Sequence, residues 1–256
     1  MKNIFDSHAH YDDEAFDADR DVILSALPSH GICGVINCAS SAKSCSDSML
    51  LSSRYDFVWA AYGIHPHAAS EDGEFILHDS FVSFLQSEKC VAVGEIGLDY
   101  HYDFSPRDVQ KNIFCAQLEL AVELGLPVIV HDREAHEDTL TALKKYRPAG
   151  VMHCFSGSAE FATEIVKLGL YIGLGGAVTF KNAKKPLETA QSVPIERLLI
   201  ETDCPYMSPV PFRGQRCTSA LIPYTAAKIA EIKGVDTQHL LNVTADNTAE
   251  LFGIKY

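Results

Sequence analysis

Two histidines one residue apart, His8 and His10, close the short run Ile4-Phe5-Asp6-Ser7-His8-Ala9-His10 near the start of the chain. In an extended strand, side chains two apart share a face, so this pair can close on one metal ion. A catalytic metal centre needs at least one more protein ligand and an open position for water. Five further stretches offer candidates: Gly63-Ile64-His65-Pro66-His67, Gly94-Glu95-Ile96-Gly97-Leu98-Asp99, His131-Asp132-Arg133, His153-Cys154-Phe155-Ser156-Gly157 and Glu201-Thr202-Asp203-Cys204-Pro205. With His8 and His10, the residues Glu95, His131, His153 and Asp203 make six candidate metal ligands. Neutral imidazoles and carboxylates suit Zn²⁺ or Mn²⁺ and, with more oxygen ligands, Mg²⁺. The residue types do not choose among these ions.

Bringing six distant side chains to one centre requires a scaffold, and the hydrophobic pattern supplies one. Short β-branched apolar runs alternate with longer amphipathic stretches, the pattern of βα units around a parallel sheet. Strands are expected over 3–6, 34–38, 58–62, 90–94, 127–130, 150–152, 171–174 and 198–200. Helices are expected over 17–30, 42–53, 79–88, 106–124, 134–146, 158–168 and 185–192, with two closing helices near 219–233 and 236–252. A chain of 256 residues, 47% of them apolar, has the size of one (β/α)₈ TIM barrel, read here as a single domain over 1–256. The residues that follow each strand of such a barrel form its catalytic mouth. The candidate ligands fall there, after five different strands.

The six motifs, together with Thr179-Phe180-Lys181-Asn182-Ala183-Lys184, resemble the TatD family of metal-dependent deoxyribonucleases within the amidohydrolase superfamily, in family order and over essentially the whole chain. The resemblance implies that His8 and His10 hold one ion, that His131 and His153 hold a second, and that Glu95 faces both. Asp203 would complete the first ion's ligand set. It implies two divalent ions, Zn²⁺, Mg²⁺ or Mn²⁺, and a hydrolase that cuts DNA phosphodiesters, as a 3′–5′ exonuclease, with a two-metal-activated water. Glu95 and Asp203 are the expected catalytic residues, with Asp203 the natural general base. Asp6 and Glu201, each two residues from a ligand, are expected to orient imidazoles. The alternative is hydrolysis of a small phosphoester, lactone or cyclic amide, since related barrels use the same histidines on such bonds. Glu95, where many of those enzymes carry a carboxylated lysine, favours the nuclease.

A phosphodiester also calls for cations. The formal charge of −13 and a pI near 5.2 exclude a broad basic grip on nucleic acid. Local help is expected from His65, Arg133 and Lys181 as substrate contacts, with Arg213 and Arg216 in loops where barrels often bind phosphate. Tyr206 and Phe212 are candidates for stacking on bases, against the plainer reading that they pack their own loop. His67 and His101 receive no role, and Cys154 and Cys204 are read as packing residues. Eight cysteines without a C-x-x-C pair read as reduced thiols. Apolar runs such as 124–130 are far shorter than the roughly 20 residues of a membrane span. The start of the chain has no apolar signal region, so a cytoplasmic protein is expected, and a barrel of this size needs no partner to fold, so a monomer is expected.

Overall fold

The computed structural model describes residues 1–256 and places all eight strands in one parallel sheet, in chain order. They are β1 (Ile4–Ala9), β2 (Ile32–Cys38), β3 (Val58–Tyr62), β4 (Cys90–Asp99), β5 (Val128–Arg133), β6 (Gly150–Met152), β7 (Tyr171–Leu174) and β8 (Leu198–Ile200). Helices link successive strands, because parallel neighbours need a crossover long enough to return the chain to the same end of the sheet. The last strand meets the first through a parallel bridge between Ala9 and Cys204, supported by His10 N–H donating to the Cys204 carbonyl at 2.8 Å. The sheet is thereby a (β/α)₈ barrel, as its sequence pattern predicts.

Neighbouring residues of each strand serve different cores. Ile4, Val35, Val93, Val128 and Ile172 pack toward the helices in a cluster of 49 buried residues. Their strand neighbours Phe5, Ile36, Ala92, Ile129 and Tyr171 belong to a second cluster of 13, which takes a residue from every strand. These residues, alternating with the helix-facing set along each strand, fill the barrel interior, and Phe252 and Ile254 of the C-terminal segment extend that cluster. At about 25 cal/mol per Å² of buried apolar surface, this double packing supplies the main driving force for the fold.

Three strands run further than their apolar runs suggest. β1, β4 and β5 were expected to stop at residues 6, 94 and 130, but continue through His8, Glu95 and His131. The ligand candidates are therefore strand residues in these three cases. The pairing slips between Asp6 and Ala9 on β1, and between Val93 and Ile96 on β4. Such irregularities re-aim side chains, and both fall where His8 and Glu95 must turn toward the centre. Gly97 permits the close approach of β4 to β5: its φ is +149°, and a Cβ there would meet the His131 carbonyl at 2.0 Å.

The helix expected over 17–30 is shorter, Arg20–Ala26, followed by a 3₁₀ turn at Leu27–His30 that contains Pro28. Short turns over 66–77, after β3, carried no sequence signal. No helix is long and apolar enough to cross a membrane.

Candidate metal centre

Five imidazoles surround the Glu95 carboxylate, which is 3% exposed. Its two oxygens divide them. Oε2 lies 3.4 Å from Nε2 of both His8 and His10, whereas Oε1 lies 2.9 Å from His131 Nδ1 and 2.6 Å from His153 Nε2. Asp203 Oδ1 adds to the first group, 3.5 Å from His10 Nε2 and 3.7 Å from His8 Nε2. His65 approaches Oε1 at 3.5 Å from the other side.

These spacings suit cations. Ligands at about 2.0–2.1 Å from a tetrahedral ion lie roughly 3.3 Å from one another. His8 Nε2 and His10 Nε2 are 3.0 Å apart, and His131 Nδ1 and His153 Nε2 are 3.3 Å apart. His10 Nδ1–H donates to the Cys38 carbonyl at 2.7 Å, so in the neutral ring Nε2 carries a lone pair. His8 Nε2 faces it at 3.0 Å, a spacing that suits either a hydrogen bond between the rings or a shared cation. Nδ1 of His8 and of His153 are buried without hydrogen-bond partners. Three overlapping groups, His8/His10/Glu95, His8/His153/Asp203 and His65/Glu95/His131, are each tight enough to hold an ion.

Electrostatics split the rings: against burial, Asp203 and Glu95 raise His10, Asp99 and Glu95 raise His131 to about 9, and Glu95 raises His153, so an ion binding there would displace protons from these three. Burial alone would raise Glu95, but His153, His65 and His8 outweigh it and hold the carboxyl well below its usual range. Burial would likewise raise Asp203, and its contact with His10 and the field of His153 bring it down. Burial lowers His8 to about 4 and His65 well below the usual imidazole value, which keeps both rings neutral and able to ligate.

Asp99 is the residue the sequence reading passed over. Its Oδ2 accepts from His131 Nε2 at 3.2 Å and from His67 Nε2 at 2.9 Å, which turns His131 Nδ1 toward Glu95. A carboxylate behind a ligating imidazole fixes its tautomer and raises its basicity. The one sequence signal was position, since Asp99 closes the Glu95 motif; its contact with the neighbouring strand shows only in the β4–β5 register. Asp99→Asn is expected to weaken metal affinity about 10–100-fold, read by titrating metal into chelated protein. Unchanged affinity would reduce Asp99 to a loop anchor.

Other expected roles need correction. Asp6 touches no imidazole. Its carboxylate accepts from Thr202 N–H, the Thr202 hydroxyl, the Ser219 hydroxyl and His8 N–H, so it ties β1 to the segment after β8. Glu201 accepts from Cys154 N–H at 2.5 Å and stays 3.9 Å from His153 Nδ1, beyond hydrogen-bond reach. Burial pushes its carboxyl up to about 8. Arg216, expected to meet phosphate, is taken by Asp19 at 2.6 Å. Tyr206 donates to Asp13 and Phe212 packs edge-on against Tyr224, consistent with loop packing. His101 pairs with Glu134.

The substrate candidates fall into two kinds. His65 is 8% exposed and belongs to the cluster, with its Nδ1 accepting from His67 N–H at 3.1 Å. Arg133 and Lys181 are exposed, and no hydrogen bond or ion pair joins their side chains to the centre. Arg213 lies over the Phe180 ring at 3.6 Å.

A parallel barrel with a polyhistidine–carboxylate cluster at the C-terminal ends of its strands defines a metal-dependent hydrolase. The chain belongs to the TatD family: the model of the TatD related DNase family matches residues 5–253. The uncharacterized metal-dependent hydrolase YabD of Bacillus subtilis (strain 168) is 42% identical over 98% of this chain and 99% of its own. The 3′–5′ ssDNA/RNA exonuclease TatD of Klebsiella pneumoniae (strain 342) is 33% identical over 98% of each chain. Among solved structures, the TatD homologue YJJV of Escherichia coli K12 superposes with a TM-score of 0.90, at 30% identity and 99% coverage of both chains. The protein is thus an enzyme of the ester-hydrolysing class.

Proposed function

We propose that the protein hydrolyses phosphodiester bonds of DNA, trimming single strands from the 3′ end, with two divalent ions held by the Glu95 cluster. The observation that carries this reading is the division of Glu95: one oxygen faces His8 and His10, the other His131 and His153. His8, His10 and Asp203 hold one ion, and His131 and His153 the other, with Glu95 common to both. Bound there, such ions supply Lewis-acid charge to phosphoryl oxygens and make water nucleophilic near neutral pH.

The remaining steps belong to side chains. Asp203 is 18% exposed at its side chain, so it meets both the cluster and the solvent that enters the mouth. It accepts a proton from the attacking water as the new P–O bond forms, and returns it to the leaving oxygen as the old one breaks. His65 contacts the phosphate from within the cluster. Arg133 and Lys181 supply charge at the rim, where each extends from an exposed position. The exonuclease named among the relatives supports the choice of nucleic acid.

The test is digestion of single-stranded DNA and RNA labelled at either end, by chelated protein and by protein restored with Mg²⁺, Mn²⁺ or Zn²⁺. Metal-dependent loss of the 3′ label as mononucleotide is the expected result. Intact strands with every ion would refute the proposal.

A further inference from the structure

Two large rings stand in water at the mouth: Tyr102 is 54% exposed and Phe104 67%. Their centroids are 5.4 Å apart, and a line of rings joins them to the centre. Phe104 lies 4.8 Å from His67, His67 lies 4.3 Å from His65, and His65 lies 4.5 Å from His131.

The backbone that carries these rings is firmly held. Asp99 Oδ1 accepts from His101 N–H at 3.0 Å and Tyr102 N–H at 2.9 Å. The buried Gln110 amide donates to the Asp99 carbonyl at 3.0 Å and the Ser105 carbonyl at 2.8 Å. Ser105, fully buried, donates to the His67 carbonyl and accepts from Ser70 N–H. Rings fixed in solvent add little to the fold, but they are already ordered for a flat ligand. On the adjoining strand end, the Arg133 carbonyl accepts from Tyr100 N–H at 2.9 Å, and its exposed guanidinium has no ion-pair partner.

We propose that Tyr102 and Phe104 form a stacking ledge for an unpaired nucleobase of the strand being cut, with Arg133 beside it for the adjoining phosphate. The inference rests on the nucleic-acid reading above and deepens it. Base faces are open in a single strand and covered in a duplex, so the ledge selects unpaired ends while tolerating any base. A protein partner is the poorer occupant, because two side chains fall far short of the roughly 800 Å² per side that a stable interface buries.

The test crosses a protein change with a substrate change. Wild-type protein and Phe104→Ala, Tyr102→Ala and double variants are assayed on single-stranded oligonucleotides with an abasic residue at each of the terminal positions in turn. At one position, removing the base is expected to raise KM about tenfold for wild type. The double variant should show that same rise on the intact strand and no further rise on the abasic one, with kcat and thermal unfolding unchanged. Phe104→Trp should retain the low KM.

Additive losses, or variants indistinguishable from wild type on a strand that wild type cleaves, would sink the ledge and leave the nuclease reading standing. A changed oligomeric mass with unchanged KM would assign the rings to a protein contact and equally overturn it. No nucleic-acid cleavage by wild type would remove both.

Discussion

Glu95→Gln should lower kcat by about 10³-fold or more and deplete the protein of metal. The substitution keeps the shape of the side chain and removes its charge. Glu95 lies within 3.5 Å of five imidazoles, and its two oxygens serve different pairs. A glutamine offers one carbonyl oxygen and one NH₂ group, so only one pair keeps an oxygen ligand. Metal charge stabilises a phosphoryl transition state by several kcal/mol, and each 1.36 kcal/mol is tenfold in rate. Losing about 4 kcal/mol gives the stated fall. Elemental analysis of purified protein, beside steady-state hydrolysis of labelled DNA, reads both effects. A variant that keeps its full metal content and a rate within tenfold of wild type would show that Glu95 does not join two halves of the site.

Asp203→Asn should behave differently. Its predicted cost is about 10²–10⁴ in kcat, the range for loss of a general base, with KM little changed. Metal content should fall less than in Glu95→Gln, because His8, His10 and Glu95 remain tight enough to hold an ion. Asp203 is built for exposure toward the mouth: it sits at φ +60°, and its N–H donates to the His8 carbonyl at 3.0 Å. That backbone conformation is one that aspartate and asparagine both tolerate, so the variant should fold. A loss that follows metal content alone, and is restored by excess metal, would make Asp203 a ligand without a role in proton transfer.

The barrel was legible because its strands advertise themselves twice, through apolar runs and through the helices between them. Where the reading failed, polarity hid the structure. Strands β1, β4 and β5 are expected from composition to end where apolar residues give way to His8, Glu95 and His131, yet the backbone ladder continues past them. The pairing slips that aim His8 and Glu95 leave no trace in residue type. The six candidate ligands could be found one by one, since a histidine or carboxylate after a strand is visible. Their partners could not. Asp99 acts through a lateral contact with the neighbouring strand, and Asp19 neutralises Arg216 across most of the chain's length. Asp6, two residues before His8, looked like a support for an imidazole and instead binds Thr202 and Ser219. Spacing along a strand does not report which way a slipped register turns a side chain.

The barrel and its histidine–carboxylate cluster leave the bond type open, since such a centre can serve phosphoester, lactone or amide hydrolysis. The most direct measurement is therefore a ranking of substrates on one metal-restored preparation: single-stranded DNA, a small phosphodiester, a lactone and a cyclic amide, each with an Asp203→Asn control. The account predicts that kcat/KM is highest for single-stranded DNA and collapses in the control. A preparation that opens the lactone or amide and leaves DNA intact would contradict it.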